Sequence, residues 1–274
     1  FNPSLGGSRF VELYNNSARI VSWENLFLAN FSANTPVRPV GLQKLILPGE
    51  YQVLTPSPED IQSRFADVIP ERLIRQTFPS MSTENGNVTV YWSRDGQTVT
   101  LDSIEYTGDY HNRLFSKSQQ RGVSLERVRA DEQTNLAVNW ASAAVLGGGA
   151  AGTPTRPNSQ SLPDIAIPEA ESWIRIPNAR FSPNQDGFED FLEIYYETPA
   201  PGYAAAITIY DAGGAVVKRL ARQELVGTSG VIRWDGDTDG GLRVRTGIHV
   251  AYAEFFNAGG EVRRFKKTFA VVLF

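Results

Sequence analysis

The sequence predicts an all-β fold made of two Ig-like β-sandwich domains in tandem, joined by a Pro/Gly-rich linker. Three observations carry this. Short runs rich in Val, Ile, Thr, Tyr and Phe recur along the chain, with most of the 24 glycines and 16 prolines between them, the pattern of sheets built from short strands. At 274 residues the chain has room for two domains of ordinary size, each able to bury a core. Apolar periodicity also dissolves over one central stretch, which divides the chain into halves.

In the first half the strand-like runs are "RFVELYN", "LQKLIL", "YQVLT", "NVTVYW", "TVTLDSIEY" and "VSLERV". Asp95-Gly96 separates two alternating runs and predicts a hairpin, since both residues tolerate positive φ. One helix is predicted over "SPEDIQSRFADVI". Ser57 can cap it, Pro58 suits the first helical position, Glu59 and Asp60 favour the positive end, and Ile61, Phe65 and Val68 share a face. From Ala143 to Ile167 the sequence "AAVLGGGAAGTPTRPNSQSLPDIAI" reads as a tail and a semi-extended linker. The second half resumes with "SWIRIPNARF", "FLEIYYE", "AAITIYD", "AVVKRL", "GVIRW", "GIHVAYAEFF" and "EVRRFKKTFAVVLF". Two turns echo each other there, "DAGG" at Asp211–Gly214 and "NAGG" at Asn257–Gly260, each placing Gly where a hairpin needs the left-handed region. The expected domains are 1–159 and 173–274, with 160–172 between them.

Composition narrows the function. There is no cysteine, which excludes disulfides, thiol catalysis and sulfur-based zinc sites. An extracellular chain of this size without disulfides leans bacterial. Up to residue 160 there are 14 basic and 15 acidic residues, then 12 and 15 beyond it, so neither half is polarised. With a pI near 5.4, a general nucleic-acid binder is not expected. No apolar run approaches the length of a membrane span. The opening "FNPSLGG" lacks the features of a signal peptide and reads as the interior of a larger protein.

"FNPSLGGSRFVELYNNS", then "LPGEYQVL", "VTLDSIEY" and "VSLERV", and the closing "NWASA" and "GTPTRPNS" together resemble the lamin-tail domain. This Ig-like module occurs in nuclear lamins and in secreted bacterial proteins. The family's first strand lies before "FNP", so the resemblance implies that it is missing here. From about 173 onward, "ARFSPNQDGFEDFLEIYYE", "ITIYDAGGAVVKRL" and "IRWDGDTDGGLRVRTGIHVAYAEF" resemble the Ig-like domain of the flagellar hook-capping type. That module recurs at the C-terminus of bacterial surface proteins, including type IX secretion cargo. The resemblance implies recognition by export or attachment machinery, through the last strands from Gly247 to Phe274.

The candidate chemistry sits in two acidic loops. "WDGDTDGG" sets Asp235, Asp237 and Asp239 at alternate positions, like the start of a calcium loop. The twelfth position, where such a loop needs a bidentate carboxylate, is Thr246. A tight turn selects the same residues, so the turn is preferred, with Trp234 as a core plug beneath it. "SPNQDGFED" gathers Asn184, Asp186, Glu189 and Asp190, oxygen ligands that suit calcium better than a transition metal; the alternative is an Asx-rich turn. No other cofactor is expected.

Enzyme readings are weaker. His249 falls in a strand-like run, and Asp109, His111 and Arg113 share a loop, but neither Gly-x-Ser-x-Gly nor a metal-binding His pair accompanies them. "GGGAAG" at Gly147–Gly152 lacks the Lys and Ser/Thr of a P-loop. Arg263, Arg264, Lys266 and Lys267 could meet phosphate or an acidic glycan, yet they read better as a solvated strand edge. The expectation is therefore a non-catalytic structural or interaction fragment of a larger bacterial secreted or cell-surface protein, with a protein partner on the surface or in the secretion machinery. The alternatives are a glycan- or peptide-binding module using Tyr106, Tyr110 and Phe115, or the accessory domains of a secreted hydrolase.

Overall fold

The computed structural model describes residues 3–4, 6–31, 35–37, 44–78, 81–145, 150–162, 172–184 and 186–272. Gly147–Gly149, the 163–171 stretch and the last two residues, each part of an expectation above, lie outside them. The fold is all-β, in two compact units, Phe1–Ser161 and Leu162–Phe274.

The first unit contains β1 (Val11–Tyr14), β2 (Val21–Ser22), β3 (Leu26–Asn30), β4 (Thr35–Val37), β5 (Leu45–Ile46), β6 (Tyr51–Thr55), α1 (Pro58–Arg64), β7 (Leu73–Arg75), β8 (Asn85–Arg94), β9 (Gln97–Thr107), β10 (Leu125–Arg127) and β11 (Trp140–Ser142). They form sheets ordered β4-β3-β8-β9, β1-β6-β7, β2-β5 and β10-β11. Trp23, Leu26, Leu28, Ile46, Leu54, Ile74, Met81, Val88 and Tyr106 make one buried cluster. Asp95 and Gly96 take φ of 51° and 80° and turn β8 into β9, as the dipeptide predicts.

The helix is shorter than its pattern. The Ser57 hydroxyl accepts the Asp60 N–H and Pro58 opens the helix, but it stops at Arg64 with Phe65 already extended. Phe65 and Val68 still reach the cluster of Val53, Ile61 and Leu73, from the following loop. A helical face and a short helix followed by a folded-back loop bury the same side chains, so periodicity alone cannot place the end.

The second unit is a sandwich. It contains β12 (Ile174–Arg175), β13 (Arg180–Phe181), β14 (Leu192–Glu197), β15 (Tyr203–Asp211), β16 (Val216–Leu225), β17 (Ser229–Trp234), β18 (Gly247–Asn257) and β19 (Val262–Val271). One sheet runs β12-β14-β17, the other β13-β19-β18-β15-β16. Alternating residues Ile207, Ile209, Ala251, Ala253 and Phe255 are fully buried, as period-2 strands with one core face require. Asp211 and Asn257 close their hairpins alike, each side-chain oxygen accepting N–H groups two and four residues on.

Candidate functional site

The two acidic loops of the second unit are neighbours. β14 and β17 pair Leu192 with Trp234, so the chain entering one strand and the chain leaving the other emerge side by side. A Cβ on Gly236 would come within 2.7 Å of the Pro183 ring. Gly236 is also at φ 79°, so both conformation and space demand glycine there.

The turn residues of "WDGDTDGG" reach β16, the edge strand of the five-stranded sheet. Asp237 pairs with the Lys218 ammonium. Asp239 accepts the Arg219 backbone N–H at 3.1 Å and its guanidinium at 2.6 Å, with Arg222 3.9 Å away. The Asp239 N–H donates to the Val217 carbonyl at 2.9 Å. The loop thus covers backbone groups of an edge strand that would otherwise stand open to another chain. Beneath it Trp234, 2% exposed, packs against Phe181 and Phe269 and donates from Nε1 to the Asp237 carbonyl at 2.8 Å. Burial pushes the Asp237 carboxyl up, but the Lys218 and Asp235 hydrogen bonds outweigh it and hold the group below the usual range. The Arg219 amide and guanidinium do the same for Asp239.

In "SPNQDGFED" the side chains close the loop on itself. Asp186 accepts the Phe188 N–H at 2.8 Å and the Asn184 side-chain amide at 2.8 Å. Asp190 accepts the Gly187 N–H at 2.7 Å, and Glu189 accepts the Asn178 amide at 2.8 Å. Among the described residues no three or more His, Cys, Asp or Glu side chains form a group that could hold a metal ion.

The histidines are built into the two units. His111 Nδ1 lies 2.9 Å from the Ser142 Oγ, which also accepts the Asn112 N–H. Burial pulls its imidazole down to about 4. Asp109 turns away toward Lys117 at 4.0 Å, so the Asp and His that adjoin in sequence do not converge. His249, 3% exposed, stacks on Phe269.

Of the aromatics expected to grip a ligand, Tyr106 is a core residue, 6% exposed, with its hydroxyl donated to the Ser82 carbonyl at 2.7 Å. Its ring lies across Gly86 on β8, where a Cβ would collide with it. Tyr110 and Phe115 are half-buried, and Tyr110 lines a shallow open groove with Asn85, Asn87, Glu105, Thr107 and Asn135. In the late basic run, Arg264 pairs with Glu254 at 2.6 Å and Lys266 lies 6.0 Å from the Tyr252 ring, while Phe265 faces inward onto Trp173.

Sequence reasoning missed two carboxylates of the first unit, Glu126 buried and Glu12 half-buried. Glu12 on β1 accepts the Thr155 N–H at 2.5 Å. Glu126 on β10, 4% exposed, accepts the Thr153 hydroxyl at 2.8 Å, the Ser159 hydroxyl at 2.7 Å and the Gln160 N–H at 3.1 Å. Residues 151–161 are therefore not a free tail. Thr155 and Gln160 are fully buried, and Arg72 donates to the Thr155 carbonyl at 3.2 Å. Small polar and proline residues made the segment read as linker.

Among the described residues no helix is long and apolar enough to cross a membrane. No family model matches the chain, and no curated protein matches it. Solved structures with some likeness include FlgD from P. aeruginosa, 16% identical, covering 36% of this chain and 69% of that one at a TM-score of 0.27. CopC from Methylosinus trichosporium OB3b is 16% identical, over 30% of this chain and 74% of its own, at 0.22. PorZ, a surface component of the type-IX secretion system of Porphyromonas gingivalis, is 14% identical over 72% of this chain, at 0.26; the match spans 23% of PorZ. Likenesses this low establish neither family nor function, and the lamin-tail and hook-capping resemblances rest on their motifs.

Proposed function

We propose that this chain is a non-catalytic interaction and spacing piece of a larger bacterial secreted or cell-surface protein, which displays, tethers or presents itself for export. Its domains are 1–159 and 173–274, with 160–172 connecting them. The observation that carries the reading is the use of the acidic residues. Asp237 and Asp239 clamp an edge strand, and Asp186 and Asp190 hold a loop to its own backbone. Such carboxylates give rigidity and protect an edge, and they need no substrate or ion to do it.

The test is capture of partners from a native surface extract by the intact chain, beside a variant with Arg264→Glu and Lys266→Glu on β19. A protein retained by the first and lost by the second supports the reading. Turnover of an extract component by the purified chain would overturn it. The rival reading, a glycan-binding module, is favoured by the groove beside Tyr110; retention of glycans that disappears with Tyr110→Ala would select it. Calcium in the acidic loops is tested by melting the chain with and without excess chelator. We expect superimposable curves, and a chelator-dependent loss of several degrees would assign the loops to the ion.

A further inference from the structure

We infer that residues 151–161 form a latch whose closure on the first unit is governed by protonation of Glu12 and Glu126. Two carboxylates from different strands, β1 and β10, lie under one short segment, Glu126 buried and Glu12 half-buried, and that segment supplies hydrogen-bond donors to both. Apart from these, the latch is held by the Val123–Ala151 bridge, the Ile69 N–H donated to the Thr155 hydroxyl, Arg72 to the Thr155 carbonyl, Arg156 to the Asp67 carbonyl, and Asn158 to the Arg127 carbonyl. It ends at the residue where the first unit ends.

The surroundings favour the neutral carboxyl. Burial is the main cause that pushes Glu12 up to about 8; the Thr155 N–H opposes it and the charge of Glu126 adds to it. Burial raises Glu126 as well, against its hydrogen bonds from Ser159, Thr153 and Gln160. The titratable group facing the pair from the neighbouring strand is Tyr51 on β6, its hydroxyl pushed up to about 12, mainly by burial, and stacked at 4.3 Å on Tyr14 of Glu12's own strand. The one cation that touches the latch backbone there among the described residues, Arg72, pairs with Glu50 at 3.2 Å. Among the described residues neither carboxylate has an ion-pair partner, so ionising both places two like charges under one segment that keeps most water out. Opening the latch lets water reach them.

The direction follows from linkage. A carboxyl near 8 when closed and near 4.5 when open holds a proton in the closed state that the open state has lost. Closure is strongest below about 4.5, weakens as pH rises toward about 8, and then levels off.

The experiment is hydrogen–deuterium exchange of the intact chain from pH 5 to 9, corrected for the intrinsic rate with an unstructured peptide of the latch sequence. Protection of the Thr155 and Gln160 amides should fall by up to about tenfold per pH unit from Glu12 alone in the middle of the range between 5 and 8, with Glu126 adding in the same direction, then flatten, while β8 and β9 amides keep theirs. Glu12→Gln should reduce the slope, and Glu12→Gln with Glu126→Gln should abolish it. Wild-type latch protection that is flat across this range overturns the inference without need of any variant. So does a slope that survives in the double variant, or one shared by β8 and β9, which would mark loss of the whole unit.

Discussion

The two units bury different things. Among the described residues the first encloses Asn15, Gln52, Gln76, Asn87, Glu126, Asn139 and Gln160, most of them bonded to backbone of another segment, whereas the buried polar residues of the second are Ser182, Thr198, Thr228 and His249. The first unit's strands are mostly short, from two to five residues apart from β8 and β9, and buried side-chain amides and carboxylates tie the loops between them. Asn139 alone donates to the Arg129 carbonyl and accepts the Arg129 N–H. The second unit has strands of up to 11 residues over a core of interlocked rings, Trp173 with Tyr203 and Phe255, and Trp234 with Phe181 and Phe269. A sheet of long strands satisfies its own backbone, and area alone holds it; short strands leave backbone groups that side chains must serve.

Four experiments test that contrast. The largest effect is expected from Trp234→Ala, which empties the aromatic core of the second unit and should lower its unfolding free energy by about 3–5 kcal/mol in denaturant titration. A loss under about 1 kcal/mol would mean that rings do not dominate there. Next comes a feature that both units share. Tyr106 lies across Gly86 in one unit and Tyr196 across Gly230 in the other, each a directly opposed cross-strand pair. Gly86→Ala and Gly230→Ala should each cost about 1–3 kcal/mol through overpacking, and a penalty in only one would show that the likeness is superficial. Asn139→Ala, by leaving buried backbone groups unserved, should cost about 1–3 kcal/mol in the first unit. The smallest effect belongs to the edge clamp. Asp239→Asn should change stability by only about 0.2–1 kcal/mol, less in high salt, but should increase self-association on size-exclusion chromatography if the loop guards β16.

Melting against pH sharpens the comparison further, because among the described residues the raised carboxyls, Glu12 and Glu126, lie in the first unit. The stability Glu12 gives is lost as pH rises from about 4.5 to about 8, and Glu126 adds in the same direction. In the second unit Asp237 and Asp239 are lowered, so their contribution is present above the ordinary carboxylate range and is lost as pH falls through their depressed values. The first unit's transition should therefore move down between about pH 6.5 and 8, above the range in which His111, pulled down to about 4, acts in the opposite sense, and the second's below about pH 4. Parallel movement of both would erase the distinction.

Much of the second unit was legible because its signals are local. Its paired "DAGG" and "NAGG" turns, like the Asp95-Gly96 hairpin of the first unit, depend on residues within four positions of one another, and its long alternating strands announce their buried face. In the first unit β3 was missed, since "LFLAN" is buried along almost its whole length and does not alternate. β7 and β11 are three residues each, too short to show a period.

By itself the sequence determined the fold class, the hairpin tips and the glycine that must stand at a left-handed turn, because all of these follow from backbone preferences and side-chain alternation over a few residues. Only the tertiary structure decided where the carboxylates go. Asp237 and Asp239 meet β16, and Glu12 and Glu126 meet beneath residues 151–161, because burial and charge pairing depend on which distant segments the fold brings together.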